Sequence, residues 1–174
     1  MAVKGSDCMG DILKQQYEWI ISNRRVVLNF LEGIPLHKLH ENVPGFGHGS
    51  IIRTYIHMAD CYRYWIEFFS LKRDLSDYKD TSDDDIEHAD VQKVRKEFEK
   101  LDEIVFDFID KYKHRLFEDI INVTDGEDPP MKASPLVLIT HATTHEFHHR
   151  GQILSMIRHL GFTSEDARLG SLFS

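Results

Sequence analysis

Thr140-His141-Ala142-Thr143-Thr144-His145-Glu146-Phe147-His148-His149-Arg150-Gly151-Gln152 holds four of the chain's 11 histidines. On an α-helix His141, His145 and His149 are four apart and stack on one face, with His148 at the edge of that face. Two imidazoles one turn apart can bind one transition-metal ion from the same side. A third ligand then has to come from another helix.

The helix bearing this stretch is bounded clearly. Ser134-Pro135 supplies an N-cap and a first-turn proline, and Gly161 stops the helix after Leu160. On its wheel, with His145 at zero, Leu138, Ala142, His149, Ile153, Met156 and Leu160 fall within about 80 degrees on one side. His145 and His149 therefore belong to the stripe that faces a core, and His141 and His148 to its margin. Phe147 and Leu154 lie opposite and, with Leu136, form an outward apolar line. Such a line points to a two-fold dimer or to coverage by the C-terminal tail, where Leu169, Leu172 and Phe173 are potential anchors.

Three more helices precede it. The first runs from Asp7 or Gly10 to Glu32, with Leu13, Tyr17, Ile20, Val27, Leu28 and Leu31 at helical spacing. The segment from Ile34 to Gly49 reads as a long loop, and its His37, His40 and His48 as solvated. Ser50 caps a second helix reaching about Lys72. It has two seams: Ile51, Tyr55, Met58, Tyr62, Trp65 and Phe69, and Thr54, His57, Cys61, Tyr64 and Phe68. A polar, acidic stretch follows, with Asp83, Asp84 and Asp85 as a first helical turn suited to the helix dipole. The third helix carries an unbroken seam, Val91, Val94, Phe98, Leu101, Val105, Phe108 and Tyr112, and ends near His114. Asn122 to Ala133 is a second long connection, where Asp125-Gly126 can turn a short hairpin. The expected fold is all-α: one four-helix bundle over 1–174, with long connections after helices 1 and 3.

His57 sits in the middle of an apolar seam. Alone it reads as a core histidine. With His145 and His149 on a facing helix it reads as the third metal ligand, because buried bare imidazoles are costly and a metal satisfies them in neutral form. Three histidines leave open positions on an ion such as zinc or nickel, as catalytic sites do. Cys61, one turn from His57, reads as a core cysteine and as an additional candidate ligand, as do His141 and His148. Asp60 or Glu146 is placed to accept from a ligand's second ring nitrogen, and Glu146 with Arg150 is placed for an internal ion pair.

His145-Glu146-Phe147-His148-His149-Arg150-Gly151-Gln152-Ile153, preceded by His57-Met58-Ala59-Asp60, resembles the DinB/YfiT superfamily, the damage-inducible four-helix bundles. Trp19, Asn23-Arg24-Arg25 and the Gly45-Phe46-Gly47 loop are compatible with it, so the resemblance covers nearly the whole chain. It implies a metal-binding bundle, commonly a homodimer, with one histidine from the second helix and two, four apart, from the fourth: His57, His145 and His149. It implies zinc or nickel, and a low-molecular-weight thiol among the substrates. Relatives include thiol S-transferases, a thiol-dependent isomerase and hydrolases. The expected function is metal-dependent thiol S-transfer, with hydrolysis as the alternative. A non-catalytic metal-binding, stress-associated protein is the competing class, and a fourth ligand from His48, Cys61, His141 or His148 would favour it.

Composition excludes other classes. A net charge of −8 disfavours nucleic acid and anionic membrane surfaces. No stretch approaches the ~18 apolar residues of a membrane span. The first seven residues lack the apolar core of a signal peptide, and two cysteines make no disulfide framework, so the cytoplasm is the expected compartment.

Overall fold

The computed structural model describes residues 3–71, 74–122 and 130–162, with side chains from residue 8 onward. The main elements are α1 (Val3–Leu31), α2 (Leu36–Leu39), α3 (Ile51–Tyr62), α4 (Asp83–Glu87), α5 (Val91–Tyr112), β1 (Ile120–Asn122), β2 (Met131–Ala133) and α6 (Pro135–His159). The expected all-α bundle is present. Helix α3 packs on α5 and α6, and α1 packs on the same two, so the four long helices close a ring. The short hairpin pairs Ile120 with Ala133 and Asn122 with Met131, antiparallel. Residues 123–129, where the Asp125-Gly126 turn is expected, lie outside the described residues, as do Leu169, Leu172 and Phe173.

Local chemistry sets these boundaries. The hydroxyls of Ser50, Ser82 and Ser134 and the carboxylate of Asp90 accept from the backbone N–H of Arg53, Asp85, Val137 and Lys93 at four helix starts. Gly161, at φ 86°, ends α6. There the Phe162 N–H donates to the Ile157 carbonyl and the Gly161 N–H to the Arg158 carbonyl, closing the last turn. The α5 seam is buried along its whole length, from Val91 to Tyr112.

The second helix departs from its expected register. After Tyr62 it widens into a π-helical stretch, Arg63–Phe69. The extra residue per turn puts Ile66 in the core where regular winding would put Trp65, which is only half-buried. His57 is half-buried rather than enclosed. Two further expectations are revised. Leu136 and Leu154 pack partly against the core, so the outward apolar line reduces to Phe147 on that face. The 34–49 loop contains the short helix α2, and His40 Nε2 lies 2.8 Å from the Ala89 carbonyl oxygen, tying the loop to the start of α5.

The centre of the ring is ionic. Arg24 of α1 donates from Nε and Nη2 to the two carboxylate oxygens of Glu146 on α6, at 2.8 and 3.0 Å. Its Nη1 donates to Asp102 of α5 at 2.8 Å, and its guanidinium lies 4.1 Å from the Phe98 ring centre. The Tyr17 hydroxyl donates to Asp102 and the Tyr62 hydroxyl to Glu146. Burial works against the Arg24 charge, but Glu146, Tyr17 and Asp102 outweigh it and hold its pKa well above the usual value. All four long helices thus meet in one hydrogen-bonded hub. The expected Glu146–Arg150 pair gives way to it, because Glu146 turns inward and its described bonds go to Arg24 and Tyr62.

Candidate metal centre

One residue before Glu146, the α6 backbone aims His145 in another direction, about 100 degrees round the helix. His145 Nε2 lies 3.1 Å from His57 Nε2 of α3 and 3.1 Å from His149 Nε2, one turn along α6. Two nitrogens bound to one tetrahedral zinc at ~2.0–2.1 Å stand roughly 3.3 Å apart, so both separations made by His145 are near that spacing. His57 and His149 are therefore each brought to His145, while the group whose ligand atoms all lie within 4.8 Å of one another is His48, His57 and His149, with His48 in place of His145.

The electronic state suits a cation. Burial, then the neighbouring imidazoles, lower His57 and His145 from 6.5 to about 4. Burial also lowers His149. All three are neutral near pH 7, the form that ligates. His149 Nδ1 lies 2.8 Å from Gln152 Oε1. An amide oxygen can only accept, so that nitrogen carries the proton and Nε2 presents its lone pair to the cluster. Gln152, three residues on along the same face of α6, fills the supporting place that the sequence offered to Asp60 or Glu146. Asp60 is instead held by Arg63 and Thr81. His145 Nδ1 is buried and has no hydrogen-bond partner among the described residues. Such a group is costly unless the ring gains a compensating bond elsewhere.

The other candidates fall outside the point of convergence. His141 is exposed, stacked 5.8 Å from His145 and edge-on to Trp65. His148 is exposed and faces Gln152 Nε2. Burial pushes the Cys61 thiol up to about 12, and Cys61 is not in the ligand cluster, so it remains a protonated packing residue. His37 is exposed, as expected of a loop residue.

His48 overturns its loop reading. Its ring stacks on His57 at 3.8 Å and meets His149 edge-on at 5.2 Å. The ligand atoms of His48, His57 and His149 all lie within 4.8 Å of one another. Four histidines therefore gather here. Nothing in hydrophobic periodicity marks His48, since it belongs to no helix; the nearest signal is its place two residues before the Ser50 cap of the helix that carries His57. A pocket of about 350 Å³ opens beside His48 and His57, walled by Arg53, Asp60, Asp80 and Thr81. The cavity of about 200 Å³ between α3 and α5 contains no histidine.

No described helix is long and apolar enough to cross a membrane. Protein DinB of Bacillus subtilis (strain 168) is 25% identical over 169 residues, covering 93% of this chain and 94% of the relative. The sequence model of the DinB family matches residues 9–171, which include all four clustered histidines and the helices that carry them, and the chain belongs to the DinB family.

Proposed function

We propose that the chain is a divalent-metal-dependent enzyme whose ion, zinc or nickel, is held by His57, His145 and His149. The observation that carries this reading is the approach of two neutral imidazoles, His57 and His149, to a third, His145, each with an Nε2 separation of 3.1 Å. An ion held by these residues would supply Lewis acidity, lowering the pKa of a thiol or water so that a nucleophile is available at neutral pH. Gln152 orients His149, and α3 and α6 fix the ligands from two sides of the bundle. The pocket beside His48 and His57 admits a small molecule. The reaction is thiol S-transfer using a low-molecular-weight thiol, with hydrolysis as the alternative outcome. The working form is a cytoplasmic homodimer. Its support is a groove of about 340 Å³ between α1 and α6, flanked by the exposed rings of Trp19 and Phe147.

A non-catalytic metal-binding protein is the second reading, and His48 favours it, because a fourth protein ligand would close the ion off from substrate. Elemental analysis of protein purified without chelator and then incubated with zinc or nickel separates these readings from a chain that binds no metal. About one ion per chain is expected in wild type. His57→Ala, His145→Ala and His149→Ala each lose it, and His141→Ala and His148→Ala keep it. A wild type that stays metal-free ends the reading. Retention by all three core variants moves the ligands elsewhere.

A further inference from the structure

The loop that bears His48 is tightly built. The Val43 N–H donates to the Gly49 carbonyl at 2.6 Å, the Gly49 N–H to the Phe46 carbonyl at 3.0 Å, and the Ser50 N–H to the His48 carbonyl at 2.9 Å. Gly49 has a φ of 74°, and a Cβ there would lie 2.5 Å from Asn42 Oδ1. Only glycine meets both conditions, a left-handed backbone and a close polar neighbour. Phe46 lies edge-on to His159, 5.8 Å between centres, which ties the loop to the end of α6. The loop thus has a fixed shape, and that shape lays the His48 ring on the ring of His57.

We propose that His48 is a fourth metal ligand, supplied by this loop, and that it holds the coordination position an incoming thiol or water needs. The inference rests on the three-histidine reading above. Two nitrogens on one ion at ~2.1 Å are at most about 4.2 Å apart. On a tetrahedral ion they stand roughly 3.4 Å apart, so the ligand atoms of His48, His57 and His149, which lie within 4.8 Å of one another, reach that spacing when the half-buried His48 ring turns about its side-chain torsions out of its stack on His57. The four donors differ in how they are held. His57, His145 and His149 are fixed by long packed helices, and His48 by a loop beside the pocket. The loop backbone stays fixed, and His48, half-buried at the pocket edge, is the ligand whose ring can swing away about its own side-chain torsions. A site closed at rest and opened by an incoming donor reconciles four histidines with the open position that chemistry needs.

Cobalt(II), titrated into the full chain, reads the coordination number, because four-coordinate tetrahedral cobalt absorbs visible light far more strongly than five- or six-coordinate cobalt. Wild type is expected to give the intense spectrum at one equivalent. His48→Ala, in which water takes the vacated position, is expected to shift the visible bands and to raise the cobalt Kd roughly 10- to 100-fold, at least what loss of a supporting partner costs. Added imidazole restores the spectrum in the variant. The loaded variant is also expected to take up 2-mercaptoethanol at lower concentration than wild type, since the competing ligand is gone. His48→Gln, which keeps a polar side chain in the loop, is measured alongside in case alanine impairs folding. Spectra and Kd equal to wild type in both variants overturn the role of His48. Weaker cobalt binding without tighter thiol uptake overturns its exchange with substrate. A wild type that binds no cobalt overturns the metal reading itself.

Discussion

His145 and Glu146 are neighbours in sequence and enter two polar clusters built on opposite terms. Glu146 joins a hub in which Arg24, Asp102, Tyr17 and Tyr62 give every charge a directed partner. His145 faces the neutral rings of His57 and His149 nitrogen to nitrogen. The hub is complete and holds four helices in register. The histidine cluster leaves His145 Nδ1 buried without a hydrogen-bond partner among the described residues. Buried polar groups that satisfy each other define structure, and those that converge unsatisfied define a binding site.

Stability measurements break this contrast most directly. Glu146→Leu leaves Arg24 with half its buried partners and is expected to cost about 3–5 kcal/mol in urea denaturation. His145→Ala in metal-free protein is expected to cost roughly 1 kcal/mol or less, because it removes an unsatisfied group from a half-exposed cluster. Equal costs would erase the distinction between hub and site.

A pH series sharpens the same point with a smaller effect. The pKa values of His57 and His145 lie near 4 in the folded chain against 6.5 for an ordinary histidine. The unfolded chain therefore binds these protons at higher pH than the folded one. Metal-free stability is full above about pH 6.5 and is lost as the pH falls toward 4. The double variant His57→Ala/His145→Ala is expected to flatten the curve across that window. A wild-type curve already flat there would show the rings to be freely protonated in the fold.

Phe147, the next residue, points in a third direction and is 40% exposed. Phe147→Glu is expected to change stability by about 0.5 kcal/mol or less while converting a dimer to a monomer in light scattering. A monomeric wild type removes the dimer from the proposed function and leaves both polar clusters as they are.

Much of this was legible from the sequence. The α5 seam, the Ser50 and Ser134 caps and the stop at Gly161 are local signals, decided by spacing and by the chemistry of a helix end. The trio His57, His145 and His149 was also legible, since two lay four apart on the buried stripe of one helix and the third on the seam of another. The residues misread are those whose partners are distant in sequence. Glu146 finds Arg24 122 positions away, and no pattern within α6 distinguishes that from a pair with Arg150. Trp65 yields its core place to Ile66 because the helix widens after Tyr62, a change that spacing alone cannot register. His48 sits in a glycine-rich loop, where side-chain direction follows from backbone angles rather than from any period.

The sequence by itself determined the bundle, its four long helices and three of the converging histidines, because helical periodicity and capping are encoded within a few residues. Tertiary structure alone decided that Glu146 anchors a buried ionic hub, that Gln152 orients His149, and that His48 reaches the rings of His57 and His149. The first and last of these contacts join segments distant along the chain, and the second depends on the ring orientation that packing imposes.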